Sequence, residues 1–268
     1  MKQIKPQSGY VQTGPLKMYY DVQGSGANLL LLHGGLCTTD TVSELRQLLN
    51  AKWTTIGVEQ QAHGHTADVD RPLRFEQMAD DTAAVLRHLD VSACHAFGWS
   101  DGGNVALGLA IRHPKLIDRL AICGTNGDNE GLDPKMLKQM QDGLSSDPQK
   151  VAASMPTMLR EAYEQVAPRP QDWPVLVQRV FEQAVSFKGW TDDQLKAVKS
   201  PVLVMIGDQD IVPVAHANKL YKLFSQSELA VLPRTDHMAP VSRAEWVAIM
   251  LGEFLTANLS APLPMSAN

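Results

Sequence analysis

The feature that most restricts the fold of this chain is the run Leu29-Leu30-Leu31-Leu32, followed at once by His33-Gly34-Gly35-Leu36. A strand that is apolar at every position has both faces covered, and that occurs in the middle of a parallel sheet with helices above and below. A sheet with one solvated face would alternate instead. Around this run, apolar stretches and helical patterns take turns along the chain. The expectation is an α/β fold, a mostly parallel central sheet with helices on both faces.

The remaining elements follow from periodicity. Lys17–Gln23 alternates like an edge strand, and Gly24-Ser25-Gly26 resembles a hairpin turn into Asn28–Leu32. A helix is expected near Thr41–Asn50 and a strand at Trp53–Val58. In Phe75–Leu89, residues Phe75, Met78, Ala79, Thr82, Val85, Leu86 and Leu89 share one helical stripe. Cys94–Trp99 reads as a strand, Gly102–His113 as a helix stopped by Pro114, and Leu116–Cys123 as a further strand. From 124 to 200 the pattern is helical without a convincing strand, broken at Pro134, Pro148, Pro156, Pro168, Pro170 and Pro174. This segment is expected to be a helical cap, leaving 1–123 and 201–268 as the core. Within it, Thr191-Asp192-Asp193-Gln194 is a helix start that returns the chain to the sheet. Alternation resumes with a strand at Pro201–Ile206, a helix near Val214–Phe224 and a strand at Glu228–Leu232. The last helix is expected to start at a capping box, Ser242-Arg243-Ala244-Glu245, and to bury Trp246, Ile249, Met250 and Phe254. The tail after Asn258 is small and polar and is expected to fray.

Composition sets outer bounds. A chain of 268 residues buries enough surface to need no staples. Its net charge of −5, with no Lys/Arg run, argues against a nucleic-acid partner. Cys37, Cys94 and Cys123 are dispersed beside apolar segments, as buried thiols of a reducing compartment would be. The first ten residues lack the apolar stretch of a secretion signal, and no apolar run reaches membrane-spanning length. A cytoplasmic enzyme with no membrane partner is the resulting expectation.

The chemistry centres on Gly98-Trp99-Ser100-Asp101-Gly102-Gly103, set between a strand and a helix. A G-x-S-x-G segment makes physical sense there, because a sharp turn lifts the serine out of the sheet and small neighbours let the segments cross. A serine hydroxyl is a weak nucleophile and needs an aligned base. His237, after the last strand, supplies one at the carboxyl edge of the sheet, where α/β folds gather their sites. Asp210, after the preceding strand, would orient the imidazole, with Asp208 as the competing acid; Asp236 reads as a loop carboxylate. A tetrahedral intermediate also needs two amide donors: Asp101, and Gly35 of the loop after the leucine run, with Leu36 as alternative. His33 reads as a structural residue that hydrogen-bonds its own loop.

These segments together resemble the α/β-hydrolase superfamily from about Tyr19 to Phe254. That family often carries a loop resembling D-x-x-G-H-G-x-S after the third main strand; here it reads Glu59-Gln60-Gln61-Ala62-His63-Gly64-His65-Thr66. Glu, Ala and Thr replace Asp, Gly and Ser. The nucleophile segment is similar to that of the valacyclovir-hydrolysing, biphenyl-hydrolase-like serine esterases. By that resemblance Asp101 would hold a substrate amino group, although the plainer reading has it supply its amide and cap the nucleophile helix.

The resemblance implies an acyl-enzyme route on a small carboxylic ester, with Ser100, Asp210 and His237 as catalytic triad, Gly35 and Asp101 as oxyanion hole, and no cofactor. Lactonase, C–C bond hydrolase or perhydrolase chemistry would use the same residues, as would a slow-turnover ligand receptor. A zinc site at His63-Gly64-His65 with Asp68 fails on spacing, and no phosphate-binding loop is present. Met136, Met140, Met155 and Met158, with Trp173 and Trp190, would either line an adaptable apolar pocket or, the stronger expectation, pack the cap onto the core.

Overall fold

In the computed structural model, which describes residues 4–257, the chain runs through β1 (Gln7–Thr13), β2 (Leu16–Gly24), β3 (Ala27–Leu32), α1 (Ser43–Asn50) and β4 (Trp53–Val58). It continues with α2 (Phe75–His88), β5 (Cys94–Trp99), α3 (Asp101–Arg112) and β6 (Ile117–Cys123). Helices α4 (Pro134–Leu144), α5 (Pro148–Ala153), α6 (Thr157–Val166), α7 (Trp173–Ser186) and α8 (Asp192–Lys196) follow. The last part comprises β7 (Val202–Gly207), α9 (Val214–Leu223), β8 (Ser227–Leu232), α10 (Ala239–Ser242) and α11 (Ala244–Thr256). The tail after Asn258 lies outside the described residues.

The strands form one eight-stranded sheet in the order β1-β2-β4-β3-β5-β6-β7-β8. From β4 to β8 all neighbours are parallel, while β2 is antiparallel to both β1 and β4. Leu29–Leu32 pairs with β4 on one side and β5 on the other and is buried throughout, as its unbroken apolar run requires. Helices α1 and α11 cover one face, around Leu45, Leu49, Val247 and Leu251. Helices α2 and α3 cover the other, around Met78, Val85, Val105 and Leu109. The chain leaves β3 toward β4 but leaves β5 toward β6, so connections diverge at the carboxyl ends of β3 and β5. Such a switch point opens a crevice at the sheet edge.

Three expectations are corrected. Lys17–Gln23 is an interior strand, because β1 pairs outside it; β1 is too polar for its alternation to stand out. Gly24-Ser25-Gly26 is no hairpin, since β4 lies between β2 and β3. Its glycines are needed for close approach: a Cβ on Gly24 would sit 2.3 Å from the Trp53 carbonyl oxygen. Helix α11 begins at Ala244 without a side-chain cap, and Ser242 ends α10 instead, its Oγ donating to the Met238 carbonyl at 3.2 Å. Its inward stripe is Ala244, Val247, Leu251, Phe254 and Leu255. Trp246 and Ile249 stay exposed, at 39% and 64%.

Between β6 and β7 the prolines mark helix starts rather than mere breaks: Pro134, Pro148 and Pro174 stand in the first turn of α4, α5 and α7, where a missing N–H costs nothing. Thr191 and Gln194 form the expected capping box of α8. Cys37, Cys94 and Cys123 are buried free thiols, and burial pushes the first two up to about 12. Among the described residues no helix is long and apolar enough to cross a membrane.

Candidate active site

Ser100 stands between β5 and α3 with φ 55° and ψ −121°, a strained conformation for a residue with a side chain. The turn is held from both ends: the Ser100 N–H donates to the Cys123 carbonyl at 2.8 Å, and its own carbonyl accepts from Gly103 at 2.9 Å. Only glycine fits beside it. A Cβ on Gly98 would lie 2.3 Å from the Gly102 oxygen, and one on Gly102 would lie 2.3 Å from the Leu32 oxygen.

The structure brings Ser100, His237 and Asp210 into one hydrogen-bonded line. His237 Nε2 is 2.9 Å from Ser100 Oγ, and Nδ1 is 2.7 Å from Asp210 Oδ1. The buried carboxylate accepts from Nδ1–H, which assigns Nε2 as the acceptor facing the serine hydroxyl. Asp210 is itself fixed by the Val212 N–H at 2.9 Å. Asp208 is turned away and caps the loop, accepting from the Thr235 N–H at 3.0 Å; backbone donors hold its carboxyl below the usual range. Asp236 accepts from the Met238 N–H at 2.9 Å. Sequence reasoning missed Trp99, whose Nε1–H donates to the His237 carbonyl at 2.8 Å and ties the histidine loop to β5. Its place next to the serine was the one available signal.

The loop after β3 lies opposite. His33 donates from Nδ1 to the Gly34 carbonyl at 2.8 Å and accepts at Nε2 from the Gln60 N–H at 3.1 Å, a structural use of both nitrogens. The Leu36 N–H is spent on His63 Nε2 at 3.2 Å. Of the two loop amides considered for an oxyanion, this leaves Gly35. The Asp101 N–H is in the first turn of α3, where backbone donors lack helical partners. Asp101 is thus the first helical residue, not the cap expected from sequence, and its carboxyl lies against Gly35 at the pocket floor.

The segment 59–66 is built on Glu59, which is fully buried. Its carboxylate accepts from Thr39 N–H at 3.1 Å and Oγ1–H at 3.0 Å, and from His65 N–H at 2.6 Å and Nδ1 at 2.9 Å. These bonds hold its carboxyl below the usual range despite burial, and in return raise His65. Thr66 bridges the Tyr19 N–H and the Glu59 carbonyl. His63 and His65 bond within the neighbouring loops, while Asp68 accepts from Gln61 and from Arg179 of α7, so the three do not converge.

Ser100, Asp101 and His237 open onto a cavity of about 600 Å³ walled by α4, α5 and α7. Met136, Met140 and Met155 line it with Phe75, Phe181 and Phe187. Met158 is 52% exposed, and Trp173 and Trp190 are buried away from it. Burial pushes the Asp101 carboxyl up to about 6, opposed in part by the charge of His237.

Comparison with known proteins agrees with this architecture. The profile of the alpha/beta hydrolase family matches residues 29–249, and the chain belongs to that family. Serine hydrolase BPHL of Mus musculus is 25% identical over 92% of this chain and 86% of its own. The pimeloyl-[acyl-carrier protein] methyl ester esterase of Vibrio cholerae is 26% identical over 90% and 99%. Among solved structures, the 2-hydroxy-6-oxo-6-phenylhexa-2,4-dienoate hydrolase of Rhodococcus sp. strain RHA1 superposes with TM-score 0.78 at 20% identity, over 95% of this chain and all of that one. This last likeness is one of fold.

Proposed function

We propose that this protein cleaves carboxylic esters through an acyl-enzyme intermediate. The observation that carries the proposal is the hydrogen-bonded line Asp210–His237–Ser100 ending at an apolar cavity. His237 takes the Ser100 proton as Oγ attacks the carbonyl, and Asp210 stabilises the imidazolium so formed. The amides of Gly35 and Asp101 hold the oxyanion, and His237 then protonates the leaving alcohol. A water deprotonated by the same histidine attacks the acyl group, and collapse of the second tetrahedral intermediate frees Ser100 and the acid. Residues 124–200 act as a cap whose helices shape the acyl pocket. Relatives named as serine hydrolase and methyl ester esterase support ester chemistry.

The acid is tested by contrast: Asp210→Asn is expected to lower kcat by roughly three orders of magnitude, while Asp208→Asn stays within about threefold. An unaffected Asp210 variant would remove that residue from the mechanism.

The pocket also suggests which esters. Among the described residues its acidic side chains are Asp101 and Asp142, the latter exposed and paired with Lys138, and no Lys or Arg lines it. An anionic acyl group entering this low-dielectric space meets repulsion with no partner. Neutral p-nitrophenyl esters of medium acyl length are therefore expected to exceed mono-p-nitrophenyl dicarboxylates of equal length in kcat/KM by at least about tenfold. Equal rates would contradict the electrostatic reading. A burst without turnover on every ester would contradict the esterase reading itself and favour a receptor.

A further inference from the structure

Helix α4 forms one wall of the cavity and carries a glycine, Gly143, in its last turn. The backbone does not call for glycine there. Its φ lies outside the left-handed region, and alanine would serve the helix better. What excludes a side chain is space. A Cβ on Gly143 would lie 2.9 Å from Cε2 and 3.1 Å from Cδ2 of Phe181, on α7, and 3.6 Å from Cγ1 of Val151, on α5. Gly143, Phe181 and Val151 all line the cavity, so three cap helices meet at this corner. The Gly143 carbonyl fastens it, accepting from the Ser146 N–H at 3.1 Å and from Gln178 Nε2, on α7, at 3.4 Å. Helix α7 is seated at a second point by Val180: a Cβ on Gly35 would lie 3.3 Å from its Cγ1.

We propose that Gly143 determines the chain length the cavity accepts: by leaving room for the Phe181 ring against α4, it keeps that ring out of the space a substrate chain would fill. For its substrates, though not for binding as such, the inference rests on the ester reading. An added methyl at Gly143 meets the ring edge far inside van der Waals separation, so something must move. Helix α7 has little freedom to retreat, because Gln178 ties it to α4 and Val180 rests against the Gly35 loop. Protein interiors are close-packed, and the open space that Phe181 borders is the cavity of about 600 Å³. The ring therefore turns inward and shortens the cavity. Glycine at 143 gives up helix stability and gains length.

The test is read first without turnover. Wild type and Gly143→Ala are loaded with N-phenyl-1-naphthylamine, a neutral dye that fluoresces in apolar surroundings. Straight-chain primary alkanols of about four to about twelve carbons then displace it, each further buried methylene strengthening binding about fourfold. In Gly143→Ala this gain is expected to stop about two carbons earlier, so that the longest alkanols bind at least about tenfold more weakly than to wild type. Adding Phe181→Ala to Gly143→Ala is expected to restore their binding, a recovery that general damage to the cap would not give. Coincident profiles, or no recovery in the double variant, overturn the proposal. So does a later stop in Gly143→Ala, which would mean that α4 lifts while the ring stays. With p-nitrophenyl esters, the ratio of kcat/KM for long over short acyl chains is expected to fall by at least about tenfold, carried by KM. A shifted alkanol profile in a protein that cleaves no ester would keep the inference and remove the ester reading.

Discussion

Replacing Ser100 by alanine is expected to lower kcat for p-nitrophenyl ester hydrolysis by at least about a thousandfold, with fold and melting temperature kept. The size follows from what is lost. Without Oγ no acyl-enzyme forms, and the remaining groups can only assist direct attack by water. The amides of Asp101 and Gly35 stay in place, so a residue of catalysis above solution survives. His237→Ala should fall to a similar level, and the double variant little further, because the pair acts as one unit. The check is steady-state kinetics with active-site titration to exclude carry-over of wild type. Retention of more than about a tenth of the wild-type rate in Ser100→Ala would sink the nucleophile assignment.

The largest expected loss of stability lies at Arg46, in α1 and far from any of these groups in sequence. Its side chain is almost fully buried. The guanidinium pairs with Asp21 Oδ2 at 2.5 Å and donates to Thr55 Oγ1 at 3.0 Å and to the Asp21 carbonyl at 3.0 Å. Arg46→Leu keeps much of the packing but leaves the Asp21 carboxylate buried without its counter-charge, and Asp21 Oδ1 already has no partner among the described residues. Losing one member of a buried pair costs about 3–5 kcal/mol, because the other remains desolvated. For a chain of this size that corresponds to a fall on the order of 10 °C in Tm, read by calorimetry. Replacing both partners, as Arg46→Leu with Asp21→Leu, is expected to recover much of it. If the single variant melts within about 2 °C of wild type, the pair is not desolvated as described.

Arg46 also marks where sequence reasoning ends. Its helix shows an ordinary amphipathic pattern, and nothing local says that a charged residue in it faces β2 and β4 instead of water. The setting of Gln60 is equally invisible, since its amide nitrogen donates to the Thr82 hydroxyl, 22 positions away on α2. Trp99 is one residue from the serine, yet its hydrogen bond goes to the carbonyl of His237 at the far end of the chain.

What the sequence determined by itself is the set of features written in local pattern: the fully apolar β3, the strand–turn–helix around Ser100, and the placing of His237 and Asp210 after successive strands. Period and turn chemistry are short-range, so they survive without a fold. What only the tertiary structure decided is which neighbours these pieces acquire. Alternation could not say that β1 lies outside β2 or that β4 separates β2 from β3, because pairing is a choice among distant partners. The sequence reading favoured Asp210 over Asp208, two residues apart on one loop, but the physical basis of that choice is a single direction in space: toward His237 Nδ1 for one carboxylate, toward the Thr235 amide for the other.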